Sequence, residues 1–75
     1  MQAVSTELID GKAVMEYRLA RHMTQRKLAM AADMSPETVN RIERASEPRS
    51  VYPLTARKLA DALGVDVSDI RARED

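Results

Sequence analysis

Between Pro36 and Arg44 the sequence PETVNRIER holds the residues of this chain best placed to recognise something. At helical pitch Val39 and Ile42 fall on one side. Pro36, Glu37, Asn40, Arg41 and Arg44 fall on the other, where nothing needs burial. The polar side offers a planar guanidinium fork, a carboxylate acceptor and an amide, and none of these is a nucleophile. The chain has no cysteine, one histidine and no glycine-rich phosphate loop, and no carboxylates pair at a spacing suited to acid–base work. His22 has no second histidine beside it and is expected to end a helix, not to ligate metal or act as a base. No enzyme, cofactor or metal site is therefore expected. What remains is recognition through hydrogen bonds, and a short helix that is apolar behind and polar in front suits the major groove of DNA.

The neighbouring residues supply the elements that would hold such a helix in place. Ser35 can cap it, with Pro36 at the first helical position, where a missing N–H costs nothing. Asp33-Met34 forms a tight turn after an earlier helix, Gln25–Ala32, capped by Thr24 and carrying Leu28, Ala29 and Ala32 on one face. Upstream, Asp10 is expected to cap a helix over about Lys12–Arg21, with Val14, Met15, part of Arg18, Leu19 and His22 turned inward. Downstream, 45–53 (ASEPRSVYP) reads as a loop. A helix over Leu54–Leu63 then turns Leu59, Ala60 and Leu63 inward and Arg57, Lys58 and Asp61 outward. Gly64 ends it in a left-handed conformation, and Asp66 caps a last short helix through Ile70, with Val67 and Ile70 closing the core. Residues 1–9 show no clear period and no strong cap, which predicts an arm. The alternatives are a strand or hairpin around Asp10-Gly11, or an arm that pairs with a second protomer. The closing RARED is charged and expected to fray. The expected organisation is an arm over 1–11, one domain over 12–72 and a charged tail over 73–75.

Seventy-five residues suffice for one modest core and no second one. With only two tyrosines as aromatics, that core must be built from Leu, Ile, Val, Met and Ala. No run of 18 apolar residues and no basic-then-apolar leader is present. A cytoplasmic protein without a membrane partner is expected, and the lack of cysteine fits a reducing compartment. Twelve basic and twelve acidic residues cancel, whereas a nucleic-acid binder is expected to be basic. The charge is uneven, however. Residues 1–11 hold two acids and no base. Residues 12–50 hold eight bases and five acids, a surplus of three, and residues 51–75 hold four bases and five acids.

The order of these signals resembles the phage-repressor/Cro-type helix-turn-helix domains. The matching residues are Thr24-Gln25 followed by Leu28-Ala29, Ser35 ahead of the second helix, Val39-x-x-Ile42-Glu43, Arg18 upstream and Leu59-Ala60-x-x-Leu63-Gly64-Val65 downstream. The likeness spans about residues 12–72. It implies an all-α, compact five-helix, lambda-repressor-like fold with helices 2 and 3 as the helix-turn-helix. It also implies that Pro36, Glu37 and Arg41 face base edges, flanked by Thr38 and Asn40. Arg41 could take guanine O6 and N7 together, Glu37 could accept from cytosine N4, and Pro36 offers only apolar contact. Thr24, Gln25, Arg26, Arg44, Ser46 and Arg49 are the expected phosphate contacts, with Gln25 the family's phosphate-gripping glutamine. Arg18 is implied to pair with Glu43, a structural tie between helix 1 and the recognition helix. The sequence departs from the pattern at His22 and Ala45, where the family commonly has glycine, and in a loop after the recognition helix about two residues longer than usual.

The expected function is sequence-specific double-stranded DNA binding by a small stand-alone regulator, a Cro-like repressor of a phage or mobile element. The alternative is a protein-interaction module, such as an antitoxin that binds a partner protein as well as, or instead of, DNA. One reading head covers few base pairs, so a homodimer on half-sites about one helical turn apart is expected. Its contact surface could be the arm, the 45–53 loop or the last helix.

Overall fold

Three of the five helices begin where a side-chain oxygen takes up a free amide of the first turn. Asp10 accepts from the Lys12 amide at 3.0 Å, Thr24 from Lys27 at 3.0 Å and Ser35 from Thr38 at 3.2 Å. The computed structural model describes residues 5–73. In order these form β1 (Glu7–Ile9), α1 (Gly11–Ala20), α2 (Gln25–Ala31), α3 (Pro36–Arg44), β2 (Arg49–Val51), α4 (Pro53–Leu63) and α5 (Val67–Ile70). Residues 1–4 of the expected arm and 74–75 of the expected tail lie outside the described residues.

Helix ends also follow the sequence. His22 and Asp33 take left-handed conformations at φ 55° and 57°, and Gly64 closes α4 at φ 72°. The core gathers Val14 from α1, Leu28 and Ala29 from α2, Val39 and Ile42 from α3, Ala56, Leu59, Ala60 and Leu63 from α4, and Ile70 from α5. Each of these falls on the inward stripe of its helix. Three expected inward residues do not, Met15 being only half-buried and outside the core. Leu19 is 55% exposed, because a stripe centred on Val14 and Arg18 leaves the next residue about 100° round the helix. Tyr17 packs against the core instead. His22, past the helix end, is exposed.

The five helices stand as expected, but the chain is not strictly all-α. Strand β1 pairs antiparallel with β2, in register Glu7↔Val51, Leu8↔Ser50 and Ile9↔Arg49. The expected arm is thus a strand in its last third, with Ile9 fully buried. The loop expected over 45–53 contains the strand's partner. The two segments lie far apart in sequence, so no hairpin forms around Asp10-Gly11. The other edge of β1 is taken as well: Ala72 donates its amide to the Leu8 carbonyl and Asp10 to that of Ile70, both at 2.8 Å. Arg71 Nε meets Glu7 Oε1 at 2.9 Å. Arg71 and Ala72, expected to fray, are therefore tied down.

Gly11 opens α1 with no room for a side chain. A Cβ built there would collide with the Ile42 carbonyl and reach 3.1 Å from Glu43 Cα, so glycine lets α1 lie directly on α3. Gly11→Ala is expected to cost about 1–3 kcal/mol through overpacking, with Tm falling about 4–8 °C per kcal/mol in a domain of this size. A thermal melt indistinguishable from that of the parent protein would contradict this contact.

Candidate nucleic-acid interface

Helix α3 presents its polar row because its apolar pair is used up. Val39 is fully buried and Ile42 nearly so, which leaves Pro36, Glu37, Arg41 and Arg44 exposed and Thr38 and Asn40 half-buried. Arg41 and Glu37, one turn apart, approach to 3.9 Å with side chains 64% and 75% exposed. A pair that open to water holds weakly, so the Arg41 fork is free to leave it for a better acceptor. The Thr38 and Ser35 hydroxyls share a hydrogen bond of 2.9 Å, which turns Thr38 back toward the helix cap.

Behind this row sits the one buried charge pair among the described residues. Arg18 Nε donates to Glu43 Oε2 at 2.7 Å and Arg18 Nη2 to Glu43 Oε1 at 2.9 Å, a two-point fork. Arg18 Nη1 donates to the Met23 carbonyl at 2.8 Å. The Glu43 side chain is only 3% exposed and that of Arg18 11%. The hydrogen bonds that Arg18 donates to Glu43 raise the guanidinium pKa above its usual value, against the opposing pull of burial. The network extends outward through Gln25, whose Nε2 donates to Glu43 Oε1 at 2.9 Å and to Asn40 Oδ1 at 3.3 Å. One cluster thereby joins α1, the start of α2 and the polar side of α3. The two bonds of Gln25 cross 15 and 18 residues of sequence. No local pattern announces them.

The expected phosphate contacts fall into three places. Thr24, Gln25 and Arg26 open α2, where backbone amides precede the first intrahelical bond and the helix dipole favours an anion. Thr24 and Arg26 are exposed, whereas Gln25 is half-buried with its amide nitrogen committed to Glu43 and Asn40. Arg44 and Ser46 are exposed at and just beyond the end of α3. Arg49 is exposed on β2, held by strand pairing and not by a loop. Among the described residues no group of His, Asp and Glu could hold a metal ion.

A helix-turn-helix family model, HTH_3, matches residues 14–70. The chain belongs to the Cro/C1-type helix-turn-helix family. Membership makes it a DNA-binding transcriptional regulator. Among solved structures, this helix-turn-helix chain is similar to the restriction-modification controller protein C.AhdI from Aeromonas hydrophila. That match has 29% identity and a TM-score of 0.71, covering 79% of this chain and 86% of the other. It is also similar to the clp gene regulator ClgR from C. glutamicum, at 30% identity and a TM-score of 0.68, covering 79% and 74%. No curated protein sequence matches it.

Cutting the pair at its centre tests what holds the helix-turn-helix together. Glu43→Ala leaves the Arg18 charge buried without a counter-ion, a loss of about 3–5 kcal/mol for a buried pair. That is a large part of the stability of a small domain. Urea or thermal unfolding should show it, and an unchanged midpoint would mean that the fork contributes little.

Proposed function

We propose that this protein binds double-stranded DNA sequence-specifically by seating α3 in the major groove, as a Cro-like repressor of a phage or mobile element. The observation that carries the reading is the exposed row Pro36, Glu37 and Arg41, fixed from behind by buried Val39 and Ile42 and by the Arg18–Glu43 fork. Arg41 is the main base reader, taking guanine O6 and N7 in two bonds. Glu37 accepts from cytosine N4 and repels phosphate, so it filters sites more than it holds them. Pro36 offers apolar contact to a thymine methyl, and Thr38 and Asn40 flank the row. Thr24, Arg26, Arg44, Ser46 and Arg49 meet the backbone, and Gln25, whose side-chain amide is committed to Glu43 and Asn40, does so through its main-chain N–H at the start of α2. These contacts position the domain without reading sequence. A domain seated in this way blocks other proteins from the same base pairs, which is repression by occupancy.

A homodimer on a two-fold operator completes the reading, since each head covers few base pairs. Two of the three surfaces that could join two copies, the arm and the 45–53 loop, pair here as β1 and β2, and residues 71–72, just past the last helix, hydrogen-bond to the other edge of β1. On or next to this sheet Leu8, Tyr52 and Leu54 are exposed at 50%, 64% and 63%. The protein works where its DNA is, in the cytoplasm, and no described helix is long and apolar enough to cross a membrane.

Mobility-shift titrations against salt test the reading. Arg41→Ala should cost about 1–3 kcal/mol of discrimination between cognate and altered sites. Arg26→Ala should weaken every sequence alike and reduce the salt slope by about one. Binding to no duplex at low salt would overturn the proposal and leave the protein-partner reading in its place.

A further inference from the structure

The amides of Gln25 and Asn40 have a fixed sense, and it originates at Glu43. A carboxylate accepts hydrogen bonds and donates none. Glu43 Oε1 already takes Arg18 Nη2 at 2.9 Å, and the Gln25 group that meets it at 2.9 Å must be the NH2 end. Turning that amide over would set a carbonyl oxygen against a buried carboxylate. The second hydrogen of the same nitrogen points to Asn40 Oδ1 at 3.3 Å. A donor at that point requires an acceptor, so Asn40 is also locked in one sense. Its oxygen faces the start of α2, and its Nδ2 is directed away. That nitrogen has no protein acceptor among the described residues, and Asn40 is half-buried beside Arg41.

We propose that Asn40 is a specificity-determining residue that meets the major groove as a hydrogen-bond donor only, with Gln25 as the positioning residue that sets its sense. This rests on the DNA-binding reading above and adds a base preference to it. A free asparagine selects adenine by turning its oxygen and nitrogen together toward N6 and N7. With the oxygen turned toward Gln25, the NH2 end is the part of the side chain that meets the groove. A lone NH2 group matches acceptors, which in the groove are guanine O6 and N7, thymine O4 and adenine N7. It has nothing to offer cytosine N4. The Arg18–Glu43 fork thus does more than tie helices together, because its charge fixes a hydrogen-bond polarity two residues away.

Selection of bound sites from random DNA tests this with the full chain and three variants. The position read by Asn40 is the one whose preference disappears in Asn40→Ala. There the parent protein should select against cytosine, the base with no acceptor in the groove. Gln25→Ala, which frees the asparagine, should move the preference toward adenine by roughly tenfold. Asn40→Asp keeps an acceptor for Gln25 and replaces the outward donor with an acceptor. It should select cytosine or adenine, whose N4 and N6 donate, and it keeps the test open if Gln25→Ala folds poorly. Cytosine in the parent selection would overturn the inference while leaving DNA reading intact. So would an unchanged base preference in Gln25→Ala or Asn40→Asp, or an Asn40→Ala variant with no altered position. A parent protein that enriches no sequence would overturn both readings.

Discussion

The Arg18–Glu43 pair is the constraint on which the rest of the structure depends. Removing two charges from water is costly, and attraction alone rarely offsets it. Here the geometry meets the conditions under which it can. The guanidinium meets the carboxylate at two points, its remaining nitrogen finds the Met23 carbonyl, and Gln25 takes the remaining capacity of Oε1. No buried side-chain nitrogen or oxygen among the described residues lacks a partner. The pair sits where α1, α2 and α3 converge, so the orientation of α3 is set by directional bonds as well as by the less directional packing of Val39 and Ile42. Gly11 contributes to the same point by letting α1 lie against the backbone of Ile42 and Glu43.

Much of this was legible in the sequence, for physical reasons that differ from element to element. Ser35-Pro36, Thr24 and Asp10 announce helix starts because a capping oxygen or a missing N–H has few other good places to sit. Gly64 announces an end because its left-handed φ suits glycine. The reading row followed from the two-residue stripe of Val39 and Ile42. The strand pairing was legible only as an alternative for the arm. Three residues carry no period, and Glu7–Ile9 meets its partner across three intervening helices. Leu19 misled because an apolar type was weighed above its angle on the helix. The packing role of Gly11 was not visible, since the sequence cannot reveal a backbone pressed against it from a distant helix. The role of Gln25 was only half visible: its place at the start of α2 was clear, but its bonds to Glu43 and Asn40 exist only in three dimensions.

Balanced charge is no obstacle to this account, because the chain does not spread its charge evenly. The basic surplus lies in residues 12–50, which contain both α2 and α3. The Arg18–Glu43 and Arg41–Glu37 pairs each cancel and leave that surplus of three unchanged. The surplus remains small, so affinity should depend on geometry and on pairing of heads more than on charge alone.

The central claim is that the side of the domain built on α3 and the start of α2 is the one that meets DNA. Titrating isotopically labelled protein with a selected duplex and following its amide resonances measures this residue by residue. The account predicts that the largest changes fall between Thr24 and Lys27 and between Ser35 and Arg44, while the buried turns of α4 move little. Changes concentrated on β1, β2 and α5, with α3 unmoved, would contradict it.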